Sequence, residues 1–279
     1  MEDTRNQLKT LKRQYELYSK NKTAFKNNLI ALIDQVYPNA NTFFSSPARK
    51  DGSQKWVDFV THFSHVDCVR GLSERVFTER YQKWCKRNSY NFNADKAAFI
   101  YNHSKEPVPT MLKSQSAKLL ITSAVSQLNA ISQTVEAIRA EMLRLAETLP
   151  EFPVVMDMYG VGASLGPQIM AEIGDVRRFD RKQSLSAFAG VDPMPSQSGT
   201  YERQSNPSSK RGTPYLRKSL FIVMKVLLQT APEYDVVYQF LNKKRSEGKP
   251  YYVYMNAGCN KFLRVYYGRV KEYLDDLDT

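Results

Sequence analysis

Between Leu8 and Val36 the apolar side chains step alternately by three and four residues. They fall at Leu8, Leu11, Tyr15, Tyr18, Phe25, Leu29, Leu32 and Val36, and Lys22 fills the one register slot that is not apolar. Only a helix gathers such a series onto one stripe, so the seam commits the first 37 residues to a single long helix that Pro38 stops. A second series runs through Ile121, Val125, Leu128, Ile131, Val135, Ile138, Met142, Leu145 and Leu149 and ends at Pro150. The two heptad helices, 1–37 and 119–149, could pair antiparallel with each other, or each could pair across a dimer. An elongated coiled-coil arm is the economical reading. Arg5, Lys9, Lys12, Arg13, Lys20 and Lys26 decorate the first helix, which reads as the solvated flank of a coiled coil ahead of the alternative, a nucleic-acid stripe.

The stretch 39–118 is less regular. It reads as a helical insert with loops at "SSPARKDGS" and "HSKEPVPT" and short amphipathic helices at "QKWVDFVTHF" and "SERVFTERYQKWCKR". His62, His65 and Cys68 stand three residues apart, which hints at zinc. Zinc sites favour two matched ligand pairs, and no second pair is present, so no metal site is expected. From Glu151 onward the segments shorten and Gly and Pro punctuate them. A boundary near residue 150 therefore separates a helical arm, 1–150, from a C-terminal domain, 151–279. The fold class is mainly α.

Lys and Arg outnumber Asp and Glu by 40 to 28, a net charge of +12, which favours a polyanionic partner, nucleic acid first. The excess is concentrated: residues 201–271 hold 14 Lys or Arg against 4 Asp or Glu, interleaved with aromatics such as Tyr215, Phe221, Tyr251 and Tyr252. Basic charge with aromatics suits backbone contact and base stacking. No apolar run is long enough for a membrane span, so no membrane partner is expected. Three cysteines, an odd and sparse set, argue for a reducing cytoplasm.

Two constellations could carry chemistry. In "MYGVGASLGPQIMAEIGDVRRF", Gly160 and Gly162 form a tight turn ahead of an amphipathic helix. This is the logic of a helix-hairpin-helix element that grips a phosphate backbone, and equally of a glycine turn between packed helices. In "DPMPSQSGTYERQSNPSSKRGTPYLR", a hydroxyl-rich loop with Ser198 precedes Lys210, Arg211, Arg217 and Lys218. A serine hydroxyl is a weak nucleophile until activated, and cations must stabilise the phosphoryl charge that its attack creates. His62, His65 and His103 all lie in the other half of the chain, so a Ser-His-Asp triad is not expected.

Taken in order, these blocks resemble the insertion-sequence 110 family of transposases, the DEDD-type enzymes described as bridge-RNA-guided recombinases. "YGVGASLGPQIMAEIGDVRRF" is similar to the family's glycine turn and helix, and "SLSAFAGVDPMPSQSG" to its catalytic-serine loop. "SSKRGTPYLRKSLF" resembles its basic helix start and "NAGCNKFLRVYYGRVKEYL" its terminal helix. The resemblance implies a compact helical transposase domain in which Ser198 attacks a DNA phosphodiester and holds a phosphoserine link, with Ser196 the nearest competitor. It makes Gly160, Gly162, Lys210, Arg211, Arg217 and Lys218 nucleic-acid contacts. It also implies DNA, a structured guide RNA and a second copy of the chain (a dimer or tetramer) as partners. Family members begin with a RuvC-like domain whose four acidic residues bind Mg²⁺. Nothing here corresponds to it, so no cofactor is expected in this chain and the Mg²⁺ belongs to that domain. The expected function is DNA transposition in a complete protein. The alternative is a non-catalytic nucleic-acid-binding remnant, or a regulator of a full-length transposase.

Overall fold

The computed structural model describes residues 2–193 and 208–279. Among them the regular structure is helical, and an isolated antiparallel bridge between Pro193 and Ser208 is the β pairing recorded. Mainly α is therefore the observed class. Two long helices dominate, α1 (Glu2–Val36) and, later in the chain, Gln115–Glu147. Contacts divide the chain into two compact units, residues 15–138 and residues 1–14 with 139–279.

In the unit 15–138, α1 is followed by α2 (Lys55–His62), α3 (Asp67–Arg70), α4 (Glu74–Arg87), α5 (Ala94–His103) and α6 (Gln115–Glu147). Leu29 and Val36 of the first series and Ile121, Val125 and Leu128 of the second enter one core, together with Ile33, which stands outside the series. Lys22 Nζ lies 3.9 Å from Glu136 on α6, while the Met111 amide donates to the Gln35 carbonyl at 3.0 Å, so within this unit the two stretches run antiparallel. The insert is more ordered than its sequence suggests. Tyr37, Phe43, Phe59, Phe63, Phe77, Tyr81 and Trp84 form a buried aromatic chain with ring centroids about 5–6 Å apart, close enough for edge and offset contacts to add to plain burial. Ser73 and Asn93 cap α4 and α5 by accepting from the Val76 and Lys96 amides. The ring nitrogens of His65 are both engaged, Nε2 with the Met111 carbonyl at 3.0 Å and Nδ1 with the Asp67 amide at 3.1 Å.

The second unit carries α7 (Phe152–Met156), α8 (Leu165–Ile173), α9 (Lys182–Ala189), α10 (Pro214–Thr230), α11 (Val236–Ser246) and α12 (Tyr251–Leu277). The long α12 is its spine and touches α7, α9, α10 and α11. Met255, Cys259, Phe262, Leu263 and Tyr266 of α12 are buried, as are Leu216, Leu220, Val223, Met224 and Leu227 of α10. Truncating one of these leucines to alanine removes buried methylenes and leaves a void, at a cost of about 2–5 kcal/mol. Here α8 departs from expectation. Its residues from Gly166 to Ile173 are all buried, so it is not amphipathic. The reason is its position: α7 and α10 pack against it, and the first turns of α1 cover its polar side chains, Lys12 Nζ donating to Gln168 Oε1 at 2.8 Å.

Candidate nucleic-acid interface

The end of α9 and the approach to α10 are tied together. Gly190 closes α9 in the left-handed region with φ +66°. Beyond it, the chain from 188 to 193 faces the chain from 208 to 213. The Thr213 amide donates to the Phe188 carbonyl at 2.9 Å, Lys210 to Gly190 at 3.2 Å and Ser209 to Asp192 at 2.8 Å. The Ser209 hydroxyl adds a bond to the Asp192 carboxylate at 2.5 Å. Gly212 makes this approach possible, because a Cβ there would fall 2.0 Å from the Phe188 carbonyl oxygen and 2.4 Å from the Gly190 nitrogen. The result is a pinned neck, fastened to α12 by Asn256, whose side-chain amide donates to the Val191 carbonyl at 3.0 Å. The fourteen residues 194–207 separate its two sides in sequence. Ser196 and Ser198 lie among them, outside the described residues.

The predicted cations occupy different positions around this neck. Lys210 and Arg211 are exposed, and Lys210 holds φ +52°, a conformation that a residue with a Cβ adopts at some cost in energy. Arg217 is half-buried. Its Nη1 donates to the carbonyls of Ala189 at 3.0 Å and Gly212 at 3.1 Å, so its charge sits on the dipoles that close the neck. Lys218 is exposed in the first turns of α10. Gly160 lies elsewhere in the unit, at φ +78°, where a Cβ would meet Val223 at 3.0 Å; its role in the fold is close packing against α10. Gly162 is exposed and open, with its carbonyl accepting from the amides of Leu165 and Gly166 at 2.9 Å at the entrance to α8.

Behind the neck lies a charged layer that the sequence did not reveal. Glu172 is buried on α8, and its carboxylate accepts from the Thr213 hydroxyl at 2.8 Å. Arg13 of α1 forms an ion pair with the same carboxylate at 3.0 Å and lies 4.1 Å over the Tyr215 ring. Arg5 pairs with buried Glu151. Asp175 accepts from the Arg177 amide and guanidinium, and these bonds hold its carboxyl below the ordinary range, with Arg5 contributing a further attraction. No motif pairs Arg13 with Glu172, since 159 residues separate them.

A second basic surface opens between α9, α11 and α12. Lys182, Lys261 and Arg264 line a cleft of about 510 Å³ with Asn260, whose side-chain oxygen accepts from the Ser186 hydroxyl at 2.9 Å. Of the aromatics interleaved with the C-terminal charge, Phe262 and Tyr266 are core, whereas Tyr251 and Tyr252 are exposed at the start of α12, and Tyr252 meets Phe221 at 6.5 Å. Among the described residues no group of three or more His, Cys, Asp or Glu is placed to hold a metal ion. Among them, too, no helix is long and apolar enough to cross a membrane.

A paired neck with Lys210 and Arg211 exposed beside it and a buried charged layer behind it thus stand together on a helical scaffold. The comparison with protein families is specific to this region: residues 153–239 match the family described as Transposase IS116/IS110/IS902. The chain is also 25% identical over 227 residues to a 43.6 kDa protein of insertion element IS110 from Streptomyces coelicolor, an alignment covering 81% of this chain and 53% of the relative. The chain thus spans about half the length of the curated relative it matches. Both findings support kinship with the IS110 transposases.

Proposed function

We propose that this chain supplies the DNA-handling and strand-joining part of a transposase, with Ser198 as the nucleophile. The observation that carries the reading is the neck: within the segment similar to the transposase family, the residues on either side of 194–207 are fixed to each other and to α12, with Lys210 and Arg211 exposed beside them. In the proposed step, the Ser198 Oγ bonds to the phosphorus of a DNA phosphodiester. The bond from phosphorus to one sugar oxygen breaks, the serine proton leaves to base or solvent, and the sugar oxygen departs and is protonated. Attack by another strand's sugar hydroxyl reverses these exchanges and restores a phosphodiester. One ester replaces another at each stage, so no oxidant or external energy source is needed. Lys210 and Arg211 would offset the charge on the non-bridging oxygens.

Mg²⁺, where the complete protein uses it, would polarise phosphate and activate an attacking hydroxyl. The described residues present no carboxylate cluster for it, and no step here is assigned to it. DNA, a structured guide RNA and a second copy of the chain are the partners this reading entails.

Fluorescence anisotropy with labelled duplex DNA tests the binding half. Log Kd should rise steeply with log salt. Replacing Lys210 and Arg211 by glutamine should lower that slope by about two, since each lost phosphate contact removes about 0.9. An unchanged slope would remove both residues from the interface.

A further inference from the structure

The cations of the insert remain unaccounted for by the neck. On α4, Arg80, Lys83, Trp84 and Arg87 recur at intervals of three, four and seven residues and so share one face. With Asp58 and His62 of α2 they line an open cleft of about 590 Å³. Arg80, Lys83 and Arg87 are exposed, and among the described residues none of them forms an ion pair.

The acidic residues nearby are otherwise engaged. Glu79 pairs with Arg75 at 3.4 Å, and Asp58 accepts from the Tyr90 hydroxyl at 2.5 Å. Arg49 and Lys55 add further positive charge 4.1 and 4.9 Å from the Tyr90 ring centroid. The excess is felt within the cleft: burial, and then Arg87 and Arg80, hold the His62 imidazole below its ordinary value. Trp84, buried beneath the cations, gives the floor a rigid aromatic edge.

We propose that this cleft between α2 and α4 is a second nucleic-acid site, in which successive backbone phosphates of one strand contact Arg80, Lys83 and Arg87. Arg80 and Arg87 stand seven residues apart, about 10 Å along the helix, more than a single phosphate spans. An open trough with cations spread over that length fits a polyanion, whereas a small anion is held by donors converging on one point. Of the other polar groups in the lining, the Asn88 side-chain amide donates to the Trp84 carbonyl at 2.8 Å and Asp58 accepts from Tyr90, so the exposed cations are what the cleft chiefly offers, and they suit backbone phosphates. The inference rests on the nucleic-acid reading above but uses a different surface, in a different compact unit.

The test uses the full chain and a triple variant, R80Q/K83Q/R87Q, whose changes are all at exposed positions; matching thermal melts by circular dichroism check its fold. Binding of labelled 20-nucleotide single-stranded DNA and RNA is measured across a salt series. At about 0.7 per phosphate for single strands, the salt slope should fall by about two, and affinity at low salt by tenfold or more. The nucleic acid with the larger loss identifies the strand that occupies the cleft. If the wild-type chain binds both nucleic acids and the variant's slopes are unchanged, the inference is overturned while the proposed function stands. Saturable binding of inorganic phosphate by calorimetry, lost in the variant without any change in slope, would overturn it in favour of a small-anion site. Failure of the wild-type chain to bind either nucleic acid would overturn the inference and the proposed function together.

Discussion

Single atoms decide whether the neck can form. Gly212 has no room for a Cβ, because backbone oxygen and nitrogen stand where it would go. Replacing Gly212 by alanine should therefore force the two sides apart and cost about 2 kcal/mol or more in urea unfolding, whereas Gly162→Ala, with nothing within 4 Å of the new methyl, should stay within about 0.5 kcal/mol of wild type. Equal effects at the two positions would contradict this account of the neck. At this scale the sequence was only partly legible. Four cations near the serine loop were evident from charge alone, but charge does not say where a guanidinium points. Arg217 faces the carbonyls of Ala189 and Gly212, while Lys210 and Arg211 are exposed. Glu172 gave no signal, because its partners Arg13 and Thr213 come from α1 and from the start of α10.

Elements were most legible where a period repeats often enough to override local noise. Two heptad series, each stopped by a proline, anticipated helices at 1–37 and 119–149, and the structure has them at Glu2–Val36 and Gln115–Glu147. The insert was harder, since its core is drawn from four short helices and the residues after α1, with no shared period to announce it. The nine residues of α8 are too few for a buried-all-round helix to be told from an amphipathic one by spacing. One small element has a measurable electrostatic signature. Asp175 caps the 3₁₀ turn Val176–Arg178, and Arg177, which it binds, also pairs with Asp278 beyond α12. Its carboxyl is held below the ordinary 3.8, so the stabilisation is complete above that value and is lost as pH falls through the lower folded-state value. Thermal melts should show Asp175→Asn less stable than wild type near neutrality, with the gap constant down to about pH 4 and closing below it. A gap that widens on acidification would reverse the assigned sign.

At the scale of the whole molecule, a basic, mainly helical chain carries cationic surfaces at the neck between α9 and α10, in the cleft between α9, α11 and α12, and in the cleft along α4. The neck and the α4 cleft belong to different compact units, so variants at one can be compared with variants at the other. The central claim concerns Ser198, and a trapped intermediate tests it most directly. The chain would be incubated with 5′-labelled DNA of an insertion-element end and a RuvC-like domain supplied in trans, denatured, and digested for mass spectrometry of any protein–DNA adduct. The account predicts a phosphoester on Ser198 that Ser198→Ala abolishes and Ser196→Ala leaves intact. An adduct on Ser196, or one that survives Ser198→Ala, would contradict it.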